Sequence, residues 1–230
     1  MKKTLLIILP LLLIVGYSQN PVDDTTLIDI DGNSYKTVKI GNQIWMAENL
    51  KVTHYQNGAP ISNNDGWSET YKGVYCVYPK DDDDASTETC KDNCAGVYGN
   101  LYNWHAVNDE RGLAPKGWHI PTLDEWKELE KLLSGDGGKL KSRGTKDGKD
   151  GLWKKPNEGA TNESGFTALP SGYRYHNGDY KHMGNSGTFW SSTEHSSSYA
   201  WYWKLYYADT KMNWHYRLKQ NGYSIRCVMD

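Results

Sequence analysis

The chain has 230 residues, enough for one medium domain or two small ones with a real core. Its 26 Lys and Arg against 28 Asp and Glu leave a formal charge of -2, which offers no general attraction to nucleic acid or to an anionic membrane. With 10 Trp and 17 Tyr against 2 Phe, nearly every aromatic ring carries a polar handle, a bias that a buried core alone does not require.

Lys2 and Lys3 precede an apolar run from Leu5 to Val15, followed by Gly16, Ser18 and Gln19. This is the pattern of a secretory signal, and the run is short for a membrane span. Residues 1–18 are expected to be a signal peptide, 19–25 a linker and 26–230 a single domain with no internal repeat. Removing Lys2 and Lys3 takes the formal charge from -2 to -4. The expected destination is the periplasm, the cell surface or the medium, with no membrane span after cleavage. Cys76, Cys90, Cys94 and Cys227 all lie in the exported part, where disulfides form.

From Leu27 the signals are those of strands. Asp31-Gly32 marks a turn, and Gly41-Asn42 offers a tight hairpin connection between Ser34–Ile40 and Gln43–Ala47. Tyr71 to Tyr78 reads as a strand, and Pro79 to Asn93 as an acidic excursion. A short helix is expected from about Asn100 to Val107. Thr122 and Glu125 then form a capping box, with Asp124 and Glu125 at the positive end of the helix dipole. Trp126, Leu129, Leu132 and Leu133 recur behind it at helical spacing, as one apolar stripe. Ser134 to Asp150, rich in Gly, Lys and Asp, reads as a surface loop.

The last 30 residues carry the clearest strand pattern. Tyr199, Trp201, Trp203, Leu205 and Tyr207 alternate along one face, and Met212, Trp214, Tyr216 and Leu218 do so after the turn Asp209-Thr210-Lys211. Asn221-Gly222 turns the chain again before Tyr223, Ile225 and Cys227, predicting a three-stranded antiparallel meander. The face of Trp201, Trp203 and Trp214, with Tyr199, Tyr207 and Tyr216, is either a sugar-binding surface or the core, and the core reading is preferred. The off-phase Tyr202, Lys204, Tyr206, Asn213, His215 and Arg217 then form the exposed set expected to face a ligand. Trp and Tyr rings stack on the apolar faces of sugars while their N–H and O–H groups meet hydroxyls, so a glycan or a surface protein is the expected partner. The fold class is α+β.

Six segments together resemble the FISUMP family, the Fibrobacter succinogenes major paralogous domain. They are Ile44-Trp45-Met46-Ala47-Glu48-Asn49-Leu50, Tyr98-Gly99-Asn100-Leu101-Tyr102-Asn103-Trp104, Gly117-Trp118-His119-Ile120-Pro121, Ala168-Leu169-Pro170-Ser171-Gly172-Tyr173-Arg174, Phe189-Trp190-Ser191-Ser192-Thr193 and Gly222-Tyr223-Ser224-Ile225-Arg226-Cys227-Val228. The resemblance implies an exported bacterial surface or secreted domain. It also implies an irregular, loop-rich fold similar to formylglycine-generating enzymes and C-type lectins, with antiparallel strands and two short helices.

Formylglycine-generating enzymes hold copper on a close pair of C-terminal cysteines, whereas Cys227 stands here with no second thiol nearby in sequence. No catalytic residues are therefore assigned, and the expectation is a non-catalytic binding module rather than an enzyme on that scaffold or a structural surface component. From the residues alone, four cysteines allow three complete pairings. The resemblance implies Cys76–Cys94, and it places Ala114 where relatives carry a partner for Cys227; Cys90 and Cys227 stay open. Asp81, Asp82, Asp83 and Asp84 are hard oxygen ligands that could hold calcium, although they lack the glycine and glutamate spacing of a calcium loop. No other cofactor is expected.

Overall fold

A computed structural model describes residues 26–63, 67, 71–79 and 93–230. The expected signal peptide and linker, the acidic run Asp81–Asp84 and Cys90 lie outside the described residues. Two hairpins open the fold: β1 (Leu27–Ile28) with β2 (Ser34–Tyr35), and β3 (Thr37–Ile40) with β4 (Gln43–Met46). The second closes on Gly41-Asn42 as the sequence predicts, with Ile40 opposite Gln43 and Gly41 at φ +61°. Next come β5 (Ser62–Asn63), β6 (Val74–Cys76), α1 (Cys94–Tyr98), β7 (Leu101–Tyr102), α2 (Trp104–Val107), β8 (Trp118–His119) and α3 (Leu123–Leu132). The C-terminal half supplies β9 (Ser171–Arg174), β10 (Tyr180–Met183), β11 (Ser186–Glu194), β12 (Tyr199–Tyr206), β13 (Asn213–Leu218) and β14 (Val228–Met229). Strands predominate and most pairs are antiparallel, compatible with the α+β class.

Among the described residues there are three helices rather than two: α1 precedes the segment from about Asn100 to Val107 expected to be helical, and within that segment only Trp104–Val107 is helix. Asn93 and Asn103 each accept a backbone N–H three residues on, starting α1 and α2, while Leu101–Tyr102 between them pair with β6. The capping box of α3 forms as the sequence predicts. The Thr122 N–H donates to Glu125 Oε2 (2.7 Å) and the Glu125 N–H to Thr122 Oγ1 (3.3 Å). Trp126, Leu129 and Leu133 are buried, but Leu132 is exposed, since it lies at the margin of the stripe beside Gly41. None of the described helices is long and apolar enough to cross a membrane.

A five-stranded sheet in the order β10-β9-β11-β12-β13 forms the centre of the C-terminal half. In the parallel β9–β11 contact Gly172 and Gly187 face each other, and neither has room for a side chain. A Cβ at Gly172 would meet Lys181 O at 2.5 Å, and one at Gly187 would meet Leu169 O at 2.7 Å. One face of this sheet carries Phe189, Trp203 and Leu205 into a core with Trp45, Trp126, Trp153 and Phe166. The other carries Trp190, Ala200 and Tyr202 into a core with Tyr102, Trp104, Tyr223 and Ile225. A strand buried on both faces follows from the continuous apolar and small residues of Ser186–Ser191.

The expected third strand of the terminal meander is corrected. β12 and β13 pair antiparallel, but the neighbour on the other side of β12 is β11. After Gly222 the chain runs between the sheets. Tyr223 bridges to Tyr102 and Ser224 to Phe189, and Val228 then joins β4 and β8 in a second sheet, β3-β4-β14-β8. Arg226 anchors this crossing. Its fully buried guanidinium donates to Asn49 Oδ1 (2.6 Å), Met46 O (2.9 Å), Phe166 O (2.7 Å) and Thr167 O (2.9 Å), tying three distant segments together.

Two further expectations are revised. The segment 134–150 is not wholly a surface loop. Leu140 and Lys141 are buried, and Lys141 Nζ donates to Tyr206 O (3.1 Å) and Asp209 O (2.9 Å), satisfying carbonyls at the β12 end. The Cys76–Cys94 disulfide is absent: Cys76 and Cys227 are buried thiols. Cys76 is packed as a small apolar side chain with Trp67, Val74, Leu101 and Met183, and burial raises the Cys227 thiol pKa far above its usual range.

Candidate functional site

The ribbon formed by β12 and β13 runs out of the core at the edge of the sheet. Residues directly opposite in an antiparallel pair share a face, so the register Tyr199↔Leu218, Trp201↔Tyr216 and Trp203↔Trp214 collects the in-phase aromatic residues on one side. The inner end of that face, Trp203 and Leu205, is buried under Trp126 of α3. The outer end is open: Tyr199 is 38% exposed, Trp214 41% and Tyr216 45%, with Trp201 partly buried between them. The assignment of this whole face to the core is therefore corrected. α3 covers β11 and the inner part of β12, and β13 is the last strand of the sheet among the described residues.

The open rings brace one another. Trp201 meets Trp214 at 5.3 Å and 63°, and Tyr216 at 5.4 Å and 89°, while Tyr199 meets Tyr216 at 5.8 Å and 86°. His195, at the end of β11, stacks flat on Tyr216 at 3.9 Å and 12°, and Lys127 Nζ lies 5.7 Å from the Trp214 ring centre. Edge-to-face pairs of this kind contribute about 0.5–1.5 kcal/mol each beyond burial, so the rings form a fixed ledge rather than loose side chains.

The opposite face carries the six residues expected to meet a ligand. Tyr202 does not qualify as an exposed residue. It is 5% exposed, with its ring 4.6 Å from Tyr223 and 6.3 Å from Trp190, because β12 is an interior strand with core on this side. Burial raises its hydroxyl pKa. Lys204, Tyr206 and Asn213 are partly buried, and His215 and Arg217 exposed. Lys204 Nζ lies 5.0 Å from the Tyr206 ring centre, and Arg217 donates to Tyr216 O at 3.1 Å. Burial first, and Arg217 second, lower the Lys204 pKa; burial, Arg217 and Lys204 in turn lower that of His215.

A cleft of about 660 Å³ elsewhere is lined by Tyr71, Lys72, His105, Asp109, Glu110 and Arg111, among others. Its most developed chemistry is a closed ion pair. Arg111 Nε and Nη2 each donate to an Asp109 carboxylate oxygen at 2.7 Å, with the guanidinium 4.0 Å from the Tyr55 ring centre. The Arg111 contact holds the Asp109 carboxyl below its ordinary pKa, and burial followed by Lys219 lowers that of His105. Such a pair fixes a loop; it does not poise a proton donor. Among the described residues no group of three or more His, Cys, Asp or Glu side chains is placed to hold a metal ion.

Of the ledge residues, the sequence pattern offers Tyr199, Trp214 and Tyr216 as a binding face while favouring the core for them, and it gives no pointer to His195 or Lys127. One signal of the exposure was present. Asn213-Trp-His-Tyr-Arg-Leu218 is bulky or polar at every position, unlike the apolar and small residues of β11, and that is the composition of a strand covered on neither face.

The sequence model of a family described as the Fibrobacter succinogenes major domain matches residues 38–229. No curated protein and no solved structure matches the chain.

Proposed function

The chain belongs to the Fibrobacter succinogenes major domain family, and on that premise we propose that it is an exported, non-catalytic carbohydrate-binding module whose ligand lies on the aromatic ledge of β12 and β13. The observation that carries this reading is the exposure of Trp214 and Tyr216 beside Trp201 and Tyr199, braced by His195. Rings held open and rigid cost little entropy on binding, present apolar faces to sugar C–H groups, and offer indole N–H and phenol O–H donors at their margins. Export follows from the reading of residues 1–18 and agrees with a surface-associated family. The lectin-like fold that the family resemblance implies belongs to the same reading. Affinity electrophoresis against a panel of plant and bacterial polysaccharides tests it: retention that Trp214→Ala weakens supports the module, and no retention on any polymer removes it.

The edge position of β13 favours one second reading, addition of a strand from another copy of the chain. Sedimentation that shows a monomer at every concentration removes that alternative.

A further inference from the structure

The face of the ribbon opposite the ledge is basic. Lys204, His215 and Arg217 share it, because Lys204 stands opposite Asn213, Tyr202 opposite His215 and Ala200 opposite Arg217. Lys204 and His215 are diagonal neighbours across the pair, and His215 and Arg217 are two apart on one strand. Such spacings are about 7–8 Å, within which a single oxyanion reaches more than one of the three side chains. On a chain of formal charge -2 this is a local concentration of positive charge without matching acids. Asp209 is the carboxylate that acts on Lys204, and the ion pairs of the described residues involve none of the three cations.

The repulsion falls on Lys204 and His215: after burial, Arg217 acts unfavourably on the charge of Lys204, and Arg217 and Lys204 act unfavourably on that of His215. A bound anion would relieve it. Beside them, Tyr173 donates its hydroxyl proton to the Tyr175 oxygen at 3.2 Å, so the partly buried Tyr175 hydroxyl keeps its own proton to donate. Tyr175 and Arg217 both lie near enough to Tyr202 to act on its hydroxyl, which places Tyr175 beside the basic face.

We propose that Lys204, His215, Arg217 and the Tyr175 hydroxyl form a binding site for the carboxylate of an acidic polysaccharide, a polymer of uronic acids. The inference takes its ligand class from the carbohydrate reading above and adds the charge of the sugar. Arg217 supplies a planar fork matched to a carboxylate, Lys204 and His215 supply positive charge, and Tyr175 supplies a neutral donor. A duplex nucleic acid calls for a broader field of basic side chains than one ribbon offers.

The test compares polygalacturonate with its fully methyl-esterified form, which keeps the sugar chain and masks the acid, and with a thymidine homopolymer as an unrelated polyanion. The expected result is retention of polygalacturonate about tenfold tighter than of its ester, with Arg217→Gln and Lys204→Gln each removing most of that difference. Equal retention of acid and ester, unchanged in Arg217→Gln, overturns the carboxylate site while leaving a carbohydrate module intact. Acid retention that depends on Arg217 but not on Trp214 upholds the site and removes the aromatic ledge. Thymidine homopolymer bound as tightly as polygalacturonate overturns the assignment to a sugar acid.

Discussion

Replacing Arg226 by Met keeps the length of the side chain and removes four hydrogen bonds at once. Asn49 Oδ1, Met46 O, Phe166 O and Thr167 O each lose a donor at 2.6–2.9 Å, in a site where the arginine itself is fully buried. An acceptor left without a partner in such a place costs about 1–3 kcal/mol. Against this, methionine relieves the cost of burying a cation with no carboxylate bonded to it, a cost seen in the guanidinium pKa being lowered by burial to about 9. The orphaned acceptors outweigh that relief, because they come from two distant segments, 46–49 and 166–167, and cannot all turn to water together. The net loss should be about 3–5 kcal/mol, of the order measured when one partner of a buried charged network is removed. For a domain of this size that lowers the melting temperature by roughly 10 °C. Differential scanning calorimetry with a parallel urea titration reads both quantities. A melting temperature within about 2 °C of the parent protein would refute the claim that Arg226 pins the crossing of the C-terminal segment.

The remaining predictions concern pH, thiols, metal and aromatic side chains. His119 is held between Asp230 (Nδ1, 2.6 Å) and Glu125 (Nε2, 2.7 Å); burial opposes its charge, but the two carboxylates outweigh burial and raise its pKa. The resulting stabilisation is complete below the unfolded histidine value of about 6.5 and disappears as pH rises through the raised folded value. His119→Gln should therefore destabilise more at pH 6 than at pH 9, by under about 1 kcal/mol for so exposed a group, and an equal effect at both values in a melting series would contradict the clamp. Cys76 and Cys227 should be unreactive to a thiol reagent in the folded protein and reactive in denaturant, and rapid native labelling of either would contradict their burial. Retention on polysaccharide should survive a chelator, since the ledge contains no metal ligand set; loss on chelation would turn attention to Asp81–Asp84 as a calcium site. Trp214→Ala should lower the melting temperature by no more than about 5 °C, the loss of its contacts with Trp201 and Lys127, because the ring is already 41% exposed. A larger fall would show the ledge to be structural.

The parts of the fold written within a few residues of themselves were legible in the sequence. The Thr122–Glu125 box and the Gly41-Asn42 hairpin are local, so their side chains and backbone choose the structure whatever surrounds them. Pairing over long distances was not. Tyr223, Ile225 and Cys227 alternate like a third meander strand, yet all three are buried, and their neighbours come from β7, β11 and β4 rather than from β13. Alternation sorts residues between two faces without saying how far along the strand each face is covered. That is why Trp203 and Trp214, cross-strand partners on one face, end up buried and exposed respectively, and why Tyr202 on the presumed open face is in the core. Lys141 was hidden for a related reason. A lysine in a Gly- and Lys-rich stretch reads as solvated until the carbonyls of Tyr206 and Asp209 are seen to converge on it.

The most direct test of the carbohydrate-binding account is isothermal titration of the whole chain with a polysaccharide it retains, beside Trp214→Ala and the double variant Trp214→Ala/Tyr216→Ala. Loss of one anchoring ring should weaken binding by about 2 kcal/mol, roughly thirtyfold in Kd, and loss of both should abolish it with folding intact. Wild-type affinity in the double variant would contradict the assignment of the ligand to the aromatic ledge.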